Sequence, residues 1–141
     1  MTERADVATL AKRHAFFGFV GLSLFIVLGL ALEAMHAFKT PLYLDVGNES
    51  RRLMWRLAHA HGALLSLVNI AYGLVAARFD AAASQLTSRC MLLSLVTVPF
   101  GFFAGGITVH GGDPGVAVAF VPVGALALLV GTARTAAALR R

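Results

Sequence analysis

The chain reads as an all-α integral membrane protein, a four-helix transmembrane bundle with both termini on the cytoplasmic side. Three observations predict this. Only 13% of its 141 residues are charged against 58% hydrophobic, with a mean hydropathy of +0.78; a soluble domain carries about twice as many charges. Four apolar runs each approach the roughly 20 residues that a helix needs to cross about 30 Å of hydrocarbon. Four crossings also gather eight of the twelve basic residues on the side of the termini, which the positive-inside bias makes cytoplasmic. Few residues remain outside the runs, so residues 1–141 form one domain.

Residues 1–13 are polar and mildly amphipathic and lack the small-residue cleavage site of a signal peptide. They are expected to form a cytoplasmic lead-in lying at the interface. The first span covers about 14–38, with Gly18, Gly21 and Gly29 near one side, where a neighbouring backbone can approach. Lys39-Thr40-Pro41 stops it. In the loop 39–53 the stretch Tyr43–Val46 is apolar enough to lie along the surface. The second span covers about 54–77 and leaves through Arg78-Phe79-Asp80. A short connector leads to the third, about 90–109, where Cys90, Ser94, Thr97, Gly101, Gly105 and Thr108 fall near one face and Pro99 is expected to kink the helix. His110–Gly115 is a tight turn by composition. The fourth span, about 116–137, contains Pro122 and Gly124 and ends in the basic residues Arg134, Arg140 and Arg141. One cysteine excludes an intrachain disulfide and a cysteine-only metal cluster; Cys90 is expected to be a buried thiol.

The chemistry gathers in the second span. His59, Gly62, Ser66, Asn69 and Gly73 recur at helical steps, with Trp55 one turn earlier, as a narrow polar-and-small stripe on an apolar helix. Polar atoms inside a bilayer need partners or a function. Four spans bring Glu33, His36, His59, His61, His110 and Asp113 to one end and leave His14 alone at the other. Three readings fit. In the first, His59 is the axial ligand of a haem between helices, Gly62 and Ser66 leave room for the flat ring, and Trp55 shares the face. His61 is then turned about 200° away. In the second, a bare transition metal is held by Glu33, His36, His59 and His110, with His61 as a further donor. In the third there is no cofactor: these residues are interfacial, pairing with one another or with water, while Arg51, Arg52 and Arg56 meet lipid phosphates.

Glu33 is either a partner of His36 or Arg56 or a proton acceptor. Asn69 and Tyr72 are interhelical hydrogen-bonding groups, and with Glu33 they are the candidates for any catalytic role. Phe100, Phe102 and Phe103 serve as packing or line a pocket for an aromatic substrate. The basic residues sit at span ends rather than on a soluble patch, so nucleic acid is not the partner. No nucleophile elbow surrounds Ser66, and no phosphate loop or dinucleotide fingerprint is present.

Trp55-Arg56-Leu57-Ala58-His59 at the start of the second span, the glycines of that helix and Val121-Pro122-Val123-Gly124 in the fourth together resemble the small four-helix membrane haem isomerases, the group of styrene oxide isomerase and hydroxylaminobenzene mutase. The resemblance implies a trimer in a bacterial-type inner or plasma membrane that binds haem b. His59 matches the axial ligand, and Gly62 matches the mutase His-x-x-Gly spacing. Ferric iron would act as a Lewis acid, rearranging a small apolar substrate such as an epoxide. Six residues beyond the histidine, where that group carries asparagine, this chain has Leu65. The rival is a haem or electron-transfer subunit that does no chemistry on a substrate, with His59 and either His36 or His61 as ligands.

Overall fold

The computed structural model describes residues 2–45, 47 and 49–140, with the backbone alone at 2–5. Met1, Val46 and Arg141, named above in the lead-in, the surface stretch and the basic tail, lie outside the described residues. Four long helices, α1 (Thr2–Ala37), α2 (Glu49–Arg78), α3 (Gln85–Ile107) and α4 (Phe120–Ala138), are joined with 3₁₀ turns at Asp80–Ala82 and Val116–Ala119. Each helix, the last taken with the 3₁₀ turn before it, is long and apolar enough to cross a membrane. The helices outrun the apolar runs. α1 takes in the lead-in from Thr2 onward, and α2 and α3 begin ahead of Met54 and Cys90. Polar residues at a helix end keep their side chains in water while the backbone bonds continue, so the hydropathy boundary lies inside the helix boundary.

Successive helices are antiparallel, and each packs along its neighbours in sequence: α1 on α2, α2 on α3, α3 on α4. α1 barely meets α3 and is not packed on α4, so the helices form an open arc rather than a closed square. α2 and α3 are the inner pair; outer α1 and α4 expose apolar residues such as Leu24, Leu30, Leu126 and Leu129. The seam between α1 and α2 depends on absent side chains. A Cβ on Gly18 would lie 2.9 Å from the Ser66 carbonyl oxygen, and one on Gly21 would lie 2.6 Å from Ser66 Oγ. The expected close approach along Gly18, Gly21 and Gly29 is therefore the contact with α2. α3 runs through Pro99 as one α-helix. Cys90 is half-buried.

The loops at the far end, opposite the termini, are folded onto the arc. Lys39 adopts φ 51°. Lys39 N–H bonds to the His36 carbonyl at 3.1 Å and Thr40 N–H to the Met35 carbonyl at 2.9 Å, the two bonds of a Schellman cap. The chain then turns back and inserts Tyr43, which is only 5% exposed. Tyr43 stacks on Trp55 at 6.4 Å, and Trp55 stacks on Phe103 at 5.7 Å. The last carbonyls of α3 are satisfied from outside the helix: Gly115 N–H reaches the Gly105 oxygen at 2.8 Å, and Arg51 Nε–H reaches that of Gly106 at 3.2 Å. Arg51 thereby places a cation at the negative end of α3. His110 and Asp113 exchange backbone hydrogen bonds across Gly111 (φ 58°) and Gly112 (φ 91°), a primed turn that needs two positive φ values.

Trp55 also donates its Nε1–H to the Phe103 carbonyl at 3.2 Å. Trp55→Phe keeps the stack and loses the hydrogen bond, so a cost of about 1 kcal/mol is expected. Trp55→Ala removes both and should cost about 3–5 kcal/mol. Denaturant titration in detergent measures both. Equal losses would show that the hydrogen bond, not the stack, holds this end.

Candidate functional site

Polar side chains collect in two places, one at each end of the arc. At the far end, His59 projects from α2 onto α1. Its Nδ1 lies 2.7 Å from the Phe25 carbonyl oxygen. A carbonyl only accepts, so Nδ1 carries a proton, and in the neutral ring this leaves the lone pair on Nε2. The ring can approach the backbone of α1 because residue 29 is glycine: a Cβ there would sit 2.5 Å from His59 Cε1 and 2.9 Å from Nδ1. His59 also lines a cleft of about 480 Å³ whose walls include Ile26, Leu30 and Leu32, with Glu33, Tyr43 and Arg56 toward one side. Those three residues line an adjoining compartment of about 300 Å³ with His36 and Arg52.

The other far-end residues are less closely gathered. His61 donates Nδ1–H to the Leu57 carbonyl of its own helix at 2.9 Å and lies on Phe102 of α3, ring centroids 4.9 Å apart, so it faces away from His59 as its spacing predicts. His36 meets Tyr43 edge-on at 6.5 Å. His110 is exposed in its turn. Among the described residues no group of three or more His, Cys, Asp or Glu side chains forms a metal-binding set; Glu33 shares the cleft with His59 and the adjoining compartment with His36. The only ion pair among the described residues is Arg52–Glu49 at 3.1 Å, and Glu33 pairs with neither His36 nor Arg56.

The stripe on α2 is the surface on which α1 sits. The space opposite Gly62 is filled by the Phe25 ring, where a Cβ would collide. Ser66 donates its hydroxyl to the Gly62 carbonyl at 2.7 Å. Trp55 turns to α3 and Gly106 instead. Open space beside His59 therefore lies on the Gly29–Leu30 side and not over Gly62 and Ser66.

At the terminal end, His14, which the sequence places alone, is fully buried with both ring nitrogens engaged. Asn69 shares its amide N–H groups between the Leu65 carbonyl at 2.9 Å and the Met91 carbonyl at 3.3 Å, which turns its Oδ1 toward His14. His14 donates Nδ1–H to that oxygen at 2.8 Å, and its Nε2 accepts the Ser88 hydroxyl at 2.7 Å. Ser88 in turn accepts from Arg13 at 2.5 Å. One chain of donors and acceptors thus ties α1, α2 and α3 together. Tyr72 closes it, its ring edge-on to His14 at 4.6 Å and its hydroxyl donating to the Ala82 and Ser84 carbonyls. Ser88, His14 and Asn69 follow the order of a hydrolytic triad, but all three are fully buried and the serine oxygen is occupied by Arg13. The cluster is a clamp. Asn69 and Tyr72 belong to it, about 15 Å or more along α2 from His59, and so lie outside the cleft.

Comparison with protein-family models, with curated proteins and with solved structures finds no match for this chain.

Proposed function

We propose that this is an integral membrane protein that binds haem b through His59. The observation that supports it best is the His59–Phe25 hydrogen bond. A metal-bound imidazole characteristically donates its second nitrogen to a carbonyl or carboxylate, which fixes the tautomer and leaves the other nitrogen as ligand. His59 has that arrangement before any ligand arrives, and it has it beside an open cleft with apolar walls. The residues fit a single axial ligand. His14 has no free nitrogen, and His61 faces α3, so of the two partners proposed for a two-histidine site only His36, in the adjoining compartment, shares the His59 side of the bundle.

Bound there, haem would supply a Lewis-acidic iron, consistent with a rearrangement of a small apolar substrate arriving from the bilayer. The chain's own part is to hold the ring by His59, to seat it against Gly29 and to offer Glu33 as the nearest carboxylate for a proton. For orientation, Lys12, Arg78, Arg89, Arg134 and Arg140 lie at the terminal end. At the far end Arg51 and Arg52 are engaged by the chain itself. This favours a cytoplasmic terminal end. The open arc leaves α1 and α4 with apolar outer faces suited to lipid or to further copies of the chain.

The test is a haem titration of the purified protein in detergent. The wild type is expected to give a Soret band, His59→Ala to bind at least about tenfold more weakly, and His61→Ala to leave the spectrum unchanged. A colourless wild type, or an unaltered spectrum in His59→Ala, would remove the reading. A low-spin, six-coordinate spectrum would favour electron transfer over substrate chemistry.

A further inference from the structure

Two charged side chains on the His59 cleft, Glu33 and Arg56, have no hydrogen-bond or ion-pair partner among the described residues. Both line the apolar cleft and the adjoining polar compartment, so the two spaces share a boundary. Arg52 lies one turn before Arg56 on the same face of α2, and it is already paired with Glu49. Arg56 is therefore the cation left to meet an incoming anion. Arg56 is exposed at the rim of the cleft and so open to an arriving ligand, and a guanidinium presents a planar fork that matches a carboxylate with two hydrogen bonds.

We propose that the compartment around Arg56 is an anion subsite that takes the carboxylate end of an amphipathic ligand whose apolar body lies along Ile26 and Leu30 beside His59. This rests on the haem reading for the identity of the apolar body, since haem b carries two carboxylates at one edge, but not for the recognition of the acid. Glu33 faces the same compartment, and its carboxylate opposes an entering anion. It therefore sets a limit on affinity that Glu33→Gln lifts.

Metal-free protoporphyrin IX and its dimethyl ester differ only in the two carboxylates and need no iron ligand. Their fluorescence on binding to the full chain in phosphatidylcholine nanodiscs, where no anionic lipid competes, reads the subsite directly. The wild type is expected to prefer the free acid by about tenfold, the scale of a charge-assisted hydrogen bond. Arg56→Gln brings the acid down to the level of the ester and leaves the ester unchanged, Arg56→Lys falls between, and Glu33→Gln raises the preference. His59→Ala weakens haem b while leaving the acid-to-ester ratio intact. A wild type that binds both forms equally, or neither, overturns the subsite. So does an Arg56→Gln variant that loses acid and ester alike, which would make Arg56 a support of the fold. If haem b binds independently of His59 while the acid preference persists, the subsite stands and the axial-ligand reading falls.

Discussion

Asn69→Leu is expected to destabilise the protein by about 3 kcal/mol. The wild-type amide makes three hydrogen bonds across three helices, to His14 in α1, to Leu65 in its own helix and to Met91 in α3. Leucine fills the space but leaves His14 with a buried N–H and no acceptor, and an unsatisfied buried group costs about 1–3 kcal/mol. It also removes the only tie from α2 to the Met91 carbonyl. Single interhelical hydrogen bonds in membrane proteins average well below 1 kcal/mol, so a loss of this size requires that the chain from Arg13 to Met91 acts as one unit. The double variant His14→Leu with Asn69→Leu removes donor and acceptor together and should cost less than the two single changes summed. Unfolding by denaturing detergent measures all three. Additive losses, or a cost under about 0.5 kcal/mol for Asn69→Leu, would reduce the cluster to independent surface-like contacts.

Gly29→Val is expected to have the second large effect, on binding as well as on stability. The Cβ position is 2.5 Å from the His59 ring, so the imidazole must leave the Phe25 carbonyl or α1 must move off α2. Overpacking of this kind costs about 1–3 kcal/mol, and a displaced ring no longer holds its place on the wall of the cleft. Haem affinity should fall as far as it does in His59→Ala. Adding His59→Ala to Gly29→Val empties the contested space and should recover part of the stability. A Gly29→Val protein with wild-type unfolding and a wild-type Soret band would show that the seam at this level is loose and that His59 is held by something else.

Much of the architecture is legible in composition and periodicity. Four apolar runs, the stop at Lys39–Pro41 and the glycine turn after His110 all correspond to elements of the structure, because hydrophobic burial and backbone sterics are local properties. The helix ends are less legible, since Glu49–Leu53 and Gln85–Arg89 are helical without being apolar. The depth of His14 is not legible from spacing at all. Its partners, Asn69 and Ser88, are 55 and 74 residues away, and only the antiparallel order of the helices brings them level. That order follows from counting spans, so the signal was a polar residue in each of three adjacent helices at one depth. The sequence shows the stripe from His59 to Gly73 as a stripe but does not show its purpose. Small residues on a helix mark a close neighbour as readily as a bound ligand, and here Phe25 and the glycines of α1 take most of that surface. Tyr43 belongs to a stretch that its composition places along the surface, but a loop tyrosine gives no periodic signal of depth, and here it is among the most buried aromatic residues and borders the cleft.

The arc in which each helix packs mainly along its neighbours in sequence has a consequence for how the chain is made. Nearly all contacts join segments adjacent in the chain, the arrangement that allows folding to keep pace with synthesis. The hairpin of α1 and α2 can close as soon as Arg78 has emerged, with Gly18, Gly21 and Gly29 against the second helix and His59 already on Phe25. His14 and Asn69 meet at that stage, but His14 Nε2 has no donor until Ser88 arrives with α3. The buried histidine thus stays incompletely bonded in the nascent hairpin, and the arrival of the third helix satisfies it. Assembly acquires a direction, from the first hairpin outward, with α4 added last along α3.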